Sequence, residues 1–228
     1  MPLSSILFVA DNSWVGATKN NKKMIKDCLI INCTGKDDTL ELKANNKLFM
    51  RLLQTNIIKY EALSRIVLEF TKEHKVEIEQ EFSILVNSGP GSFSGIRIAL
   101  AVSKGIQLVK KSNIYSYNSF IINAAPYLKN VETLISIIKT NKFYYYSEGS
   151  IGKNSKFTAP KKMEPGFLKL KNSLVVVSQE LENDEIIKNI GKKKVSIAKI
   201  DLKKIDILIE NNLLENKLIK TLYLSKIT

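Results

Sequence analysis

The stretch that most constrains the fold covers residues 87–110 and begins Asn87-Ser88-Gly89-Pro90-Gly91-Ser92-Phe93-Ser94-Gly95-Ile96-Arg97-Ile98. An apolar run over 82–86 precedes it and predicts a strand. Gly89 and Gly91 supply backbone angles closed to other residues, and Pro90 fixes φ between them. Ser92 or Ser94 can then cap a helix that starts at once. An ordinary tight strand-to-helix connection accounts for this pattern. So does an anion cradle at the helix N-terminus built from Gly89, Pro90, Gly91, Ser92, Ser94 and Gly95.

The helix expected over 93–110 carries few polar side chains, chiefly Arg97, Ser103 and Lys104 between the cap and Ile106. A surface helix shows one apolar stripe and a polar back. A helix that is apolar almost all round is expected to be buried on two sides. Its own sheet covers one side, and a second protein is a candidate for the other; the alternative is a helix enclosed within one domain.

At 228 residues, with 44% hydrophobic and 25% charged residues, the chain can bury a sizeable core. No apolar run is long enough to cross a membrane, and the apolar patch at 6–10 lacks the flanks of a secretory signal. Cys28 and Cys33 fall five apart in one expected strand, on opposite faces, so a disulfide between them is not expected. One histidine and two cysteines do not make the usual zinc site. A reducing cytoplasm fits this usage. The excess of 35 Lys+Arg over 22 Asp+Glu, a net charge of +13, favours phosphate-rich partners but is spread along the chain.

Residues 1–26 read as an N-terminal extension of uncertain status, with Met24 an alternative start ahead of the first clear strand. Strands over 28–33, 39–43 and 48–53 form an antiparallel meander. Asp37 and Asp38 are expected as solvated turn formers. A helix over 58–74 follows, ending at a solvated His74. Beyond the central motif come a strand over 113–117 and a helix capped by Ser119 and running to 128. Strands over 133–138 and 143–146 follow, the second with Phe143, Tyr144, Tyr145 and Tyr146; packing or base stacking explains that cluster. Next are a loop over 149–166, a strand over 173–177, a helix over 180–190, a strand over 195–200, and a largely helical 203–218. No internal repeat is evident in the sequence. The lone histidine has no evident partner, and the strand ends that would carry metal-binding carboxylates hold Asn32 and Lys139, so no independent catalytic constellation emerges.

The motif Gly89-Pro90-Gly91-Ser92-Phe93-Ser94-Gly95-Ile96-Arg97-Ile98 resembles the Gly-Pro-Gly-Ser-Phe-Thr-Gly-Leu/Val-Arg-Ile signature of the TsaB family. Ser94 keeps the hydroxyl of the family's threonine. Leu222-Tyr223-Leu224 is similar to the family's Leu/Ile-Tyr-Leu-Arg ending, and the resemblance covers roughly residue 27 to the C-terminus. Three departures stand out: Ile31-Asn32-Cys33-Thr34 for Ile-Asp-Thr-Ser, Lys59-Tyr60 for His-Ser, and Lys139-Thr140-Asn141 for Asp-Ala-Arg.

The resemblance implies an α/β fold of the actin-like ATPase (ribonuclease H-like) type. Its N-terminal lobe, at 27–130, is complete and its C-terminal lobe, at 131–228, is reduced. It implies a non-catalytic scaffold subunit in threonylcarbamoylation of the tRNA adenosine next to the anticodon. The partners implied are a TsaD-like protein in a heterodimer and a TsaE-like ATPase, with tRNA engaged through the complex and self-pairing when alone. No cofactor of its own is implied; ATP or ADP belongs to the complex. The implied docking helices are 59–74 and 93–110, with Tyr60, Leu63, Val67, Phe93, Ile96, Ala99, Leu100 and Ser103 as interface residues. A charge introduced at Ile96 or Ala99 is expected to break pairing and spare the fold. The rival expectations are an autonomous nucleotide-hydrolysing enzyme and a stand-alone basic RNA-binding protein.

Overall fold

The computed structural model describes residues 25–35, 38–53, 62–129, 131–140, 143–150, 152, 155–164, 166–170, 173–185, 195–198, 204–216, 222 and 224. The expectations for residues 1–24 of the N-terminal extension, for Asp37, Tyr60 and Tyr223, and for 186–190 lie outside the described residues.

The first sheet joins β1 (Cys28–Asn32), β2 (Thr39–Ala44), β3 (Lys47–Leu52), β4 (Ser83–Asn87) and β5 (Asn113–Tyr117) in the order β3-β2-β1-β4-β5. The first three strands are the antiparallel meander; β4 and β5 continue parallel to β1. Parallel neighbours need crossovers, and two helices supply them: α1 (Leu63–Glu73) and α2 (Phe93–Lys110).

Strand alternation divides the core. Leu29, Ile31, Ile84 and Val86 face α1 and α2, packing with Val67, Phe70, Ile96 and Ala99. Cys28, Ile30 and Leu85 face the other way, toward α3 (Ser119–Ala124) and α4 (Lys204–Glu210). Both cysteines are free and buried, in separate clusters as their odd spacing requires.

The second sheet repeats the plan of the first. β6 (Thr133–Thr140) and β7 (Phe143–Ser150) form an antiparallel hairpin. The two-residue strands β8 (Lys156–Phe157) and β9 (Lys161–Lys162) share the third position against β7. β10 (Leu174–Val177) and β11 (Val195–Ile197) lie parallel to β6. This is the two-lobed actin-like fold, with a second lobe thinned at its edge. The repeat lies in connectivity, which is why no sequence repeat announces it.

Several local expectations are corrected. Asp38 is buried and accepts a hydrogen bond from the Gly35 amide at 2.6 Å, so it closes the turn from inside. His74 caps α1 half-buried, stacked 3.9 Å from the Phe49 ring and edge-on to Phe70. Asn118, not Ser119, caps α3, and the helix gives way to a 3-10 turn at Ala125–Tyr127. The loop expected over 149–166 contains β8 and β9. The helix expected from 180 begins as a 3-10 turn, Gln179–Leu181. After α4 the chain turns at Asn211 and Asn212 and pairs Glu215 with Ser116.

The lobes meet around Phe120, which is fully buried with Ile138 and Tyr145 of the second sheet and with Leu222 and Leu224 from the chain's end. Truncating it opens a cavity that neither lobe alone can close. Phe120→Ala is expected to cost about 3–5 kcal/mol, read as a lowered urea midpoint in equilibrium unfolding.

Candidate functional site

The site begins at the loop between β4 and α2. Ser92 accepts a hydrogen bond from the Gly95 amide and caps the helix, and its own amide donates to the Thr34 carbonyl at 2.7 Å. Gly91 sits against Thr34 so closely that a Cβ there would lie 2.1 Å from the Thr34 oxygen. Gly89 has φ +104°, and the Gly89–Pro90 peptide is cis. The Gly89 amide donates to Asn87 Oδ1 at 3.0 Å, while its carbonyl accepts from the Ser119 amide at 2.8 Å. Three amides that a phosphate would use, those of Gly89, Ser92 and Gly95, are thus engaged by the chain itself. Ser94 is exposed, and Gly95 and Pro90 are buried. The loop's visible work is to clamp the start of α2 onto the end of β1.

Beside this clamp lies the cleft between the lobes, about 250 Å³ in volume. Asn32, Asn87 and Ser119 line it from the first lobe, and Lys139, Thr140 and Ser178 from the second. Asn87 Nδ2 donates to Asn32 Oδ1 at 3.1 Å and to Ser119 Oγ at 3.1 Å, and Thr34 Oγ1 donates to Asn32 Oδ1 at 2.9 Å. Lys139 Nζ bonds Asp184 at 2.8 Å, and the Tyr144 hydroxyl bonds the same carboxylate. The hydrogen bond to Asp184 holds the Lys139 ammonium above its ordinary range. The strand ends therefore present neutral amides on one side and a cation on the other. Those strand ends offer no carboxylate to a Mg²⁺-bound phosphate; the carboxylates that line the cleft are Glu41 and Glu180.

The cleft's inner wall carries Glu41, beside Thr39 and Lys204. Burial pushes the Glu41 carboxyl above its ordinary 4.5; the Thr39 hydrogen bond and the Lys204 charge oppose the rise. Burial also pushes the Cys28 thiol up to about 12, which leaves it protonated and unreactive at neutral pH. Of the centre of this network, Asn87 is not among the residues the sequence points to, and Ser119 is expected there only as a helix cap. The polar residue ending an apolar strand just before Gly-Pro-Gly was the available signal.

The expected interface residues fall mostly inward. Leu63, Val67, Ile96, Ala99 and Ser103 are fully buried and Leu100 nearly so, all within the chain's own core. Ser103 Oγ bonds the Ala99 carbonyl one turn back. Only Phe93 of the described set is exposed, with the Arg97 guanidinium 4.9 Å from its ring centre. The outward stripe of α2 is Ser94, Arg97, Ala101, Lys104, Gly105 and Leu108, and Leu68 stands out from α1. The expectation that a charge at Ile96 or Ala99 spares the fold is corrected by the same burial: either change places an unpaired charge in the core.

No family model matches the chain. Over 81 residues it is 36% identical to the tRNA threonylcarbamoyladenosine biosynthesis protein TsaB of Buchnera aphidicola subsp. Baizongia pistaciae, a segment making 34% of this chain and 37% of that relative. The match thus spans little more than a third of the curated relative. In three dimensions the chain superposes on YeaZ from Pseudomonas aeruginosa with a TM-score of 0.65 at 12% identity, covering 88% of this chain and all of that one. A second structure, a protein with similarity to YeaZ from the same organism, superposes with a TM-score of 0.64 at 12% identity and the same coverage. Fold and cleft define a two-lobed α/β protein of the actin-like class. Within that class, the 81-residue match is to a TsaB protein and the fold is similar to that of YeaZ.

Two outcomes test the site. Gly91→Ala is expected to destabilise the chain by about 1–3 kcal/mol or more, because backbone rather than a flexible side chain blocks the new methyl; thermal unfolding reads the loss. Glu41, its carboxyl raised in the fold, opposes folding once ionised. Wild type is therefore expected to lose stability relative to Glu41→Gln as pH rises above 4.5, which paired denaturation curves across pH 4 to about 8 would show.

Proposed function

We propose that this chain is a non-catalytic pairing subunit in tRNA threonylcarbamoyladenosine biosynthesis, working in the cytoplasm with a TsaD-like enzyme and a TsaE-like ATPase. The observation that carries the proposal is the 36% identity to a TsaB protein, with the YeaZ-like fold as its frame. No helix among the described residues is long and apolar enough to cross a membrane, in keeping with this setting.

The docking surface is the outward side of α1 and α2. Leu68 is 65% exposed and Leu108 is 72% exposed, and between such anchors Ala101 and Gly105 let a neighbouring backbone come close. Arg97 and Lys104 rim the stripe. Used by a second copy, the same surface gives self-pairing when the partner is absent. Nucleotide turnover belongs to the partners: Asn32, Asn87 and Lys139 stand where this chain's own phosphate chemistry would need carboxylates.

Ala101→Glu, facing out, is expected to abolish co-purification with the TsaD-like partner and to shift stability by no more than about 0.5 kcal/mol. An unpaired charge trapped in a packed interface costs about 3–5 kcal/mol, enough to lose capture. Ile96→Asp, facing in, is expected to unfold the chain. Co-purification unchanged by Ala101→Glu would refute the surface.

A further inference from the structure

Of the four consecutive aromatics in β7, Tyr145 and Tyr146 are buried in the core and Tyr144 is half-buried. Phe143 is 47% exposed. The Lys162 ammonium lies 3.7 Å from its ring centre. Lys162 pairs with Tyr145 in the sheet register, so it shares a face with Phe143 two residues along. Lys161 pairs with Tyr146 and Lys156 with Ser150, so both stand on the other face and reach round the edge toward the ring from there. All three lysines are exposed. The five steps from Tyr145 to Ser150, at roughly 3.3 Å each, spread them over about 16 Å of sheet edge.

We infer that this edge of the second sheet binds unpaired RNA, with Phe143 stacking a base and Lys156, Lys161 and Lys162 meeting the backbone phosphates. One flat ring among lysines suits a flat, anionic ligand; a protein partner would call for a contiguous apolar patch. Double-stranded RNA offers phosphates but no free base face, which leaves the ring without a role. The cation held over Phe143 keeps both groups out at the edge, and on binding it moves from the ring to a phosphate. The nearby acid Asp184 is already bonded to Lys139 and Tyr144. A net charge of +13 adds attraction from the rest of the chain. The inference deepens the proposed role in tRNA modification, yet it uses the lobe away from α1 and α2 and can fail separately.

The test is fluorescence anisotropy of the full chain with a labelled, mixed-sequence unpaired RNA oligonucleotide, competed by a fully paired, blunt-ended RNA duplex or by heparin. Phe143→Ala is expected to weaken binding by on the order of tenfold with the salt slope unchanged. The triple change of Lys156, Lys161 and Lys162 to Ala is expected to make the slope of log K against log salt shallower by about 2. Both variants should melt like wild type and still capture the TsaD-like partner. Three results would each overturn the inference: no binding, equal binding of paired RNA, or affinity indifferent to Phe143. Loss of partner capture by Ala101→Glu with RNA binding intact supports both readings. Capture that survives Ala101→Glu beside Phe143-dependent RNA binding removes only the docking surface.

Discussion

The contact between Gly91 and Thr34 is the one on which the rest of the structure depends. A glycine lies against the backbone at the end of β1, and the next amide donates to the same Thr34 carbonyl at 2.7 Å. That contact fixes where α2 starts and how it crosses the sheet. It also brings Asn87 beside Asn32, and the Gly89 carbonyl to the first amide of α3. Helix direction, cleft floor and lobe junction are set within a few residues. The Leu222 amide then bonds the Ser88 carbonyl at 2.8 Å, so the end of the chain closes over the same loop.

Around this point the molecule uses one strand plan twice. The first sheet is covered on both faces, by α1 and α2 on one and by α3 and α4 on the other. The second has its third position filled by two short strands, leaving an edge that carries lysines and one exposed ring. The cleft between the sheets has an amide network for its floor and an ion pair on its far wall.

Much of the first lobe was legible because its signals were local. The strand pairing at 28–53, the helix at Phe93–Lys110 and the Ser92 cap all follow from alternation, glycine placement and a hydroxyl at the right step. The second lobe was harder: β8 and β9 are two residues each, too short to show alternation, and exist because β7 offers them an edge. The facing of α2 was illegible for a different reason. Its outer stripe mixes Ala101, Gly105 and Leu108 with Arg97 and Lys104, so Ile96 and Ala101 look alike in sequence and only the sheet's position tells them apart. His74 and Asp38 were misplaced because their partners, Phe49 on β3 and the Gly35 amide in the turn after β1, meet them only once the chain has folded back.

The central claim is that the loop aims α2 so that its outer stripe meets another protein. Hydroxyl-radical footprinting of the chain with and without a TsaD-like protein tests it most directly. The account predicts that Leu68 and Leu108 lose labelling on complex formation while Leu52, exposed on β3, labels as before. Labelling of Leu68 and Leu108 that does not change in a complex shown to have formed would contradict it.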